Sequence, residues 1–182
     1  MVKMKKAIFG GSFDPPHIGH LDIIKQALSS LDVDKLIVVP AFLNPFKSKS
    51  FAPASLRLKW LKAMTQELKG VEVSSFEIDQ NRAVASIETI KHFMDAADTI
   101  YFIIGADNLL SLPKWKNFEE LDKIVTWIVA TRDGIQIPSK YISLNVNQNI
   151  SATELRDQVN EAYLDRNIAN EIVTYYKDIK NG

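Results

Sequence analysis

The 182-residue chain has no cysteine, no net charge and no long apolar run, and each absence excludes something. Without cysteine there is no disulfide framework, and a reducing compartment is the natural home. Basic and acidic residues stand at 22 each, a balance that argues against a protein built to coat nucleic acid while leaving room for a local basic patch. No apolar run approaches the roughly 18 residues that span a bilayer, and the short basic start Met1–Lys6 leads into no signal-peptide core. The expectation is a cytoplasmic protein with no nucleic-acid and no membrane partner. Internal repeats, low-complexity tracts and linkers are also missing. Residues 1–182 are therefore expected to form one domain, for which a hydrophobic content of 46% supplies core enough.

What the chain does have is alternation. Apolar runs at Lys5–Phe9, Leu36–Pro40, Val71–Ser74, Ile100–Ile104 and Ile124–Ala130 are continuous, as in strands buried on both faces. Between them Ile18–Leu31, Ala54–Leu68, Ser86–Ala96 and Phe118–Leu121 repeat their apolar residues every three or four positions, which predicts helices. The order βαβαβαβαβ predicts an α/β fold, a Rossmann-like doubly wound parallel sheet whose ligands bind beyond the carboxyl ends of the strands. Gly10, Pro40 and Gly105 all follow strand ends. Arg57 and Lys59, on the second helix, read as solvated face residues, and His92 reads as a surface residue. Near the C-terminus, Ile172, Val173, Tyr176 and Ile179 form one stripe of a helix over Ile168–Ile179, which packs on the domain or faces a second subunit.

The first stretch that carries chemistry runs from Ala7 to His20, where an apolar strand leads into Gly10-Gly11-Ser12-Phe13-Asp14-Pro15-Pro16-His17-Ile18-Gly19-His20. Gly10 and Gly11 permit an approach that a Cβ would block, so phosphate can lie against bare amides. Pro15 and Pro16 hold off the helix until His17 or Ile18. His17 and His20, at i and i+3, then share one face of its first turn, where partial positive charge and unpaired N–H groups favour an anion. Glycine at position 19 costs about 1 kcal/mol against alanine inside a helix, a cost that points to a ligand passing close by. Zinc is a competing use of paired histidines, but ligand pairs on a helix usually stand at i and i+4 with a third ligand elsewhere. The stretch reads as a nucleotide site, with histidines that merely cap the helix or sit half exposed as the alternative.

Three further segments fall at the same edge. Ala41–Lys49 combines an Asn44-Pro45 turn with Lys47 and Lys49 in a flexible loop, where Lys47 is either a mobile cation for a triphosphate or a solvated lysine. Tyr101–Ile104 ends in Gly105-Ala106-Asp107, placing a carboxylate where ribose hydroxyls or a hydrated cation can be met, unless Asp107 caps a short helix over Asn108–Leu112. Trp115, two residues after Pro113, offers a flat face to a ring ligand or simply packs. Ser151 with Glu154 three residues on is a capping-box pattern, starting a helix with Thr153 and Arg156 on its first turns.

Gly11-Ser12-Phe13-Asp14-Pro15 followed by His17-Ile18-Gly19-His20 resembles the first signature of the nucleotidyltransferases that join a nucleotide to a phosphorylated acceptor. Ile150-Ser151-Ala152-Thr153-Glu154-Leu155-Arg156 resembles their second. Phe102–Leu110, with Pro113 and Trp115, narrows the resemblance to the nicotinate-nucleotide adenylyltransferases, over nearly the whole chain. The related pantetheine-phosphate adenylyltransferases usually carry threonine in the slot that is His17 here, and lack the Trp segment. The chain departs from the family in Asn44-Pro45-Phe46-Lys47, where a loop histidine is lost, and in Val84–Thr89, which lacks a tyrosine.

The resemblance implies transfer of AMP from ATP to nicotinate mononucleotide, with Mg²⁺ carried by the ATP phosphates and no protein metal site. It implies catalytic roles for His17, His20, Lys47 and Arg156. ATP would be bound by Gly10, Gly11, Ser12, Phe13, His17, His20, Ile150, Ser151, Thr153 and Arg156, and the acceptor by Asn44, Ala85, Ser86, Gly105, Asp107 and Trp115. The alternatives are an adenylyltransferase for another acceptor, nicotinamide mononucleotide or a phosphopantetheine, and a nucleotide-binding regulator without turnover. The sequence leaves monomer and homo-oligomer equally open.

Overall fold

The computed structural model describes residues 3–95 and 98–182. Strands β1 (Lys5–Gly11), β2 (Lys35–Pro40), β3 (Val71–Val73), β4 (Thr99–Gly105), β5 (Thr126–Ala130) and β6 (Ile142–Leu144) form one sheet. Their order is β3-β2-β1-β4-β5-β6, and every pairing is parallel. The helices are α1 (Ile18–Ser30), α2 (Ala54–Thr65), α3 (Phe76–Asp79), α4 (Ser86–Phe93), α5 (Phe118–Ile124), α6 (Ala152–Asp157) and α7 (Ala169–Asn181). None of them is long and apolar enough to cross a membrane.

The strand residues divide by parity between two cores, which is why the apolar runs are continuous. Ala7, Phe9, Leu36, Val38, Ile103 and Ile128 pack on one face with Ile24 of α1, Trp60 and Leu61 of α2 and Ile172 of α7. Ile8, Ile37, Val39, Phe102, Ile104, Trp127 and Val129 pack on the other, with Ile87 and Ile90 of α4 and Leu121 of α5. Fully burying one such side chain contributes roughly 1.5–3 kcal/mol, so both faces of the sheet demand a helical cover. The chain fills the sheet outward from β1 to β3, then returns to place β4 on the other side of β1. That reversal opens a crevice at the carboxyl ends of β1 and β4.

The predicted doubly wound sheet is present, and the local corrections have local causes. β1 continues through Gly10 and Gly11, which pair with Val39 and Pro40 of β2. α5 takes Ile124, which the sequence assigns to the fifth strand. α2 stops at Thr65, whose hydroxyl bonds back to the Leu61 carbonyl at 2.8 Å. α4 stops at Phe93; its expected end, Ala96, lies outside the described residues. The helix expected over Asn108–Leu112 is instead a pair of 3₁₀ turns, Ala106–Asn108 and Leu112–Lys114, the second with Pro113 at its start. α3 and β6 are additions: α3 is a single turn, and β6 buries only Leu144.

One buried carboxyl group joins two of these helices. Glu77 of α3 is 7% exposed and accepts from the Thr89 hydroxyl of α4 at 2.5 Å. Burial, more than the nearby Glu88, pushes its pKa from 4.5 up to about 7. The folded state therefore keeps a proton that the unfolded state loses, so the stabilisation from this group is full below pH 4.5 and lost as pH rises toward 7. Glu77→Gln keeps the acceptor and removes the titration. Urea unfolding should find the variant equal to wild type near pH 4 and more stable by about 1–3 kcal/mol at pH 8; an unchanged difference between the two pH values would refute the assignment.

Candidate active site

Five segments converge at the crevice: the turn between β1 and α1, the β2–α2 loop, the turn after β4, the residues after β5, and the start of α6. α1 opens with His17 as its N-cap and a capping box made of two imidazoles. Nδ1 of His17 accepts from the Gly19 amide at 3.1 Å, and the His17 amide donates to Nδ1 of His20 at 3.1 Å. A ring nitrogen that accepts from an amide holds no proton, so each neutral ring carries its hydrogen on Nε2. The rings stack with centroids 3.7 Å apart. Burial first and the Arg132 charge second push His17 down to about 3, while burial, His17 and Arg132 lower His20. Near neutral pH the site therefore presents two uncharged N–H donors. The capping alternative and the anion-donor reading are compatible, because capping uses Nδ1 and leaves Nε2–H.

The glycine at 19 has a different reason from the one the sequence suggests. A Cβ there would stand 2.9 Å from the His17 ring, so the fold of the cap by itself requires glycine at this position. Gly11 is similar: a Cβ would meet the Phe13 ring at 3.2 Å. Phe13 has φ of 49° and wedges its buried ring against His20, centroids 4.9 Å apart. Its side chain is a support for His20, so only its backbone is open to a nucleotide.

The cations gather around the same turn. Lys47 Nζ lies 3.5 Å from Ser12 Oγ, and burial, then Arg156, lowers its pKa. Arg156 donates from Nη1 to the Asp14 carbonyl at 2.6 Å and from Nη2 to Thr153 Oγ1 at 3.2 Å, with its guanidinium 4.4 Å from the Phe51 ring centre. Ser151 caps α6 by accepting from the Glu154 amide at 3.1 Å, while Glu154 accepts from the Ser151 amide. The predicted capping box is formed. Ile150 is buried and offers its carbonyl to Arg132 at 3.4 Å.

Of the acceptor candidates, Trp115 is half-buried, its indole N–H 3.4 Å from Ser111 Oγ and its ring tilted on Phe102. Ala85 is the N-cap of α4, but its amide already donates to Glu88 at 3.2 Å, which leaves Ser86 as the open donor of the two. Asp107 is exposed and caps nothing; its Oδ1 is 3.9 Å from Arg132 Nη1, and it folds over Gly105 where a Cβ would collide with it. Asn44 uses its Oδ1 to accept from the Phe46 amide at 2.9 Å, which holds the loop turn.

Arg132, Asp14 and Arg57 also belong to this site, although the sequence assigns none of them a role in it. Arg132 follows β5 at the carboxyl edge, a position that the fold prediction makes suspect. Arg57 corrects an expectation outright: instead of lying solvated on α2 it is 0% exposed, and it donates to the carbonyls of Ser12 at 2.5 Å, Phe42 at 3.0 Å and Ala52 at 3.1 Å. Lys59 is exposed, as expected, and pairs with Glu171 at 2.8 Å. His92 is exposed and stacks on Phe76.

Among the described residues no cluster of three or more His, Cys, Asp or Glu is placed to hold a metal ion. Nδ1 of each imidazole is engaged by an amide, which leaves Nε2 as a hydrogen-bond donor. What the site does offer is N–H donors and cations, the equipment for phosphate.

Comparison with known proteins gives the same direction. A family model described as cytidylyltransferase-like matches residues 8–158. A Sulfurimonas denitrificans protein named "Probable nicotinate-nucleotide adenylyltransferase" is 51% identical over 94% of this chain and 94% of its own. One of the same name from Campylobacter fetus is 46% identical over 96% of this chain and 98% of its own. Among solved structures, Plasmodium falciparum nicotinic acid mononucleotide adenylyltransferase complexed with NaAD matches with a TM-score of 0.77 at 19% identity, covering 96% of this chain and 98% of that one, a likeness of fold. The chain belongs to the cytidylyltransferase-like family and, within it, to the nicotinate-nucleotide adenylyltransferases.

Proposed function

We propose that this chain, acting as one nucleotidyltransferase domain in the cytoplasm, transfers AMP from ATP to nicotinate mononucleotide and releases pyrophosphate. The observation that carries the reading is the meeting of the two signatures: Arg156 of the second donates to Asp14 of the first across 142 residues, at the switch point of the sheet. Folding alone would not require both motifs to share one crevice.

An oxygen of the acceptor phosphate attacks the α-phosphorus of ATP, and the bond to the β-phosphate oxygen breaks. The attacking group is already a nucleophile, so alignment and charge stabilisation carry the rate, with no covalent intermediate. His17 and His20 donate from Nε2 to the α-phosphate as charge builds there. A neutral ring beside a growing anion has its pKa drawn upward, so these bonds strengthen toward the transition state. Lys47 covers the leaving group from its loop, and Ser151, Thr153 and Arg156 hold the β- and γ-phosphates. Mg²⁺ would come as part of the ATP substrate and would supply charge neutralisation to the pyrophosphate, while Lys47, Ser151, Thr153 and Arg156 hold the phosphates.

The acceptor ring lies against Trp115, and its carboxylate meets the open amide of Ser86 at the start of α4. Incubation of the protein with ATP and nicotinate mononucleotide tests the reading. Equal amounts of pyrophosphate and dinucleotide are expected, and neither without acceptor; absence of turnover under saturating substrates would favour the nucleotide-binding regulator.

A further inference from the structure

Asp14 is a carboxylate that the reaction does not use. It is 3% exposed, lies in the turn between β1 and α1, and is held by neutral donors from two distant parts of the chain. The Phe51 amide donates to Oδ2 at 2.7 Å, the Ala52 amide to Oδ1 at 3.0 Å, and the Tyr176 hydroxyl, 162 residues away on α7, also to Oδ1. Tyr175 adds a second link from α7, its hydroxyl donating to the Phe51 carbonyl at 3.0 Å. Phe51 and Ala52 form one stem of the loop that carries Lys47. Arg57 grips both stems, through the Phe42 and Ala52 carbonyls, while Pro45 to Lys49 between them are exposed.

Packing does not account for a hydroxyl in this position. Ile172 and Val173 already supply the apolar contacts by which α7 covers the core, and Tyr176, 3% exposed, brings a polar atom to a buried carboxylate instead. A hydrogen bond to a charged acceptor is about twice as strong as a neutral one. Without it, Asp14 keeps the Phe51 and Ala52 amides but loses its hydrogen bond to α7, and is freer to re-aim. Because Asp14 is three residues before His17, and its carbonyl receives Arg156, a shift there moves the catalytic turn and the loop stem together.

We propose that Tyr176 is a positioning residue: by donating to Asp14 it fixes the stem of the Lys47 loop relative to the His17 turn. The kinetic side of this proposal rests on the function proposed above, whereas the loop side does not. Burial and the Asp14 charge both raise the Tyr176 pKa, so the phenol stays a donor at any working pH.

The test is Tyr176→Phe in the full-length protein, a change that removes one oxygen and keeps the ring between Trp60 and Tyr175. Trypsin cleavage is mapped by mass, alongside thermal unfolding and steady-state kinetics. Cleavage after Lys47 and Lys49 should be several-fold faster with other sites unchanged. A misplaced group can cost up to about 10²-fold, and a loss of about 5–20-fold in kcat, with KM for ATP within about twofold, is expected for one lost tether. In a Lys47→Ala background the same change should cost less than about twofold more, because both act through one loop. Wild-type cleavage at the loop, or cleavage spread evenly over the chain, would overturn the proposal, as would a kcat loss that adds in full to that of Lys47→Ala. If wild type shows no transfer to nicotinate mononucleotide, the cleavage map still decides the role of Tyr176.

Discussion

His20→Ala is expected to lower kcat by about 10²–10³ while leaving ATP affinity within a few-fold, the loss seen when one preorganised donor to a developing oxyanion is removed. The reason lies in how the ring is held. Its Nδ1 is fixed by the His17 amide, its face is supported by Phe13, and its protonation is suppressed, so Nε2–H stands aimed and uncharged before substrate arrives. A donor that needs no reorganisation is worth most where charge appears last, on the α-phosphate in the transition state. The substitution also removes half of the capping box, at about 0.5–2 kcal/mol of stability. Thermal unfolding therefore has to accompany the kinetics, so that turnover is compared between folded proteins. A kcat within about threefold of wild type would remove His20 from the mechanism.

Arg57→Met should be the most destabilising single change in the site. The guanidinium ties together three backbone carbonyls that belong to the Gly-rich turn and to both stems of the Lys47 loop. Each hydrogen bond to a charged group contributes roughly 1.5–3 kcal/mol, and a buried acceptor left without a donor adds its own desolvation cost. Methionine fills part of the volume, so a net loss of about 3–5 kcal/mol is expected from urea unfolding, a large share of the 5–15 kcal/mol typical of a domain. Lysine should rescue little, since one ammonium on a flexible stem cannot reproduce the planar fork. A loss below about 1 kcal/mol would mean that Arg57 is solvated after all, as its helical neighbours suggest.

Those neighbours explain what could be read from the chain and what could not. The sheet and most helices are legible because their signals are local: continuous apolar runs, three- and four-residue spacing, glycine or proline at strand ends. The two signatures are legible for the same reason, each lying within a dozen residues. The role of Arg57 is not legible, because a helical pattern says which positions are polar but not what faces them. The carbonyl it grips most closely, Ser12, comes from 45 residues upstream. Asp14 and Tyr176 escape for a stronger version of that reason, since their partnership exists only once α7 has packed. Gly19 is a different case: its helical cost is legible in the sequence, but the His17 ring that explains it, two residues away, is placed only by the cap geometry. β6 has too few buried residues to leave a pattern.

The acceptor assignment is the claim on which the proposed reaction depends, and it is tested most directly by comparing kcat/KM for nicotinate mononucleotide and nicotinamide mononucleotide, in wild type and in Trp115→Ala. In the proposed binding mode the indole would stack on either ring with similar energy, whereas only the acid would gain a charged hydrogen bond at the Ser86 amide. Wild type is expected to prefer the acid by about tenfold or more, equivalent to about 1.4 kcal/mol, and Trp115→Ala to weaken both acceptors while keeping that ratio. Loss of the preference with the tryptophan would contradict the backbone-donor account, and a wild-type preference for the amide would contradict the nicotinate assignment itself.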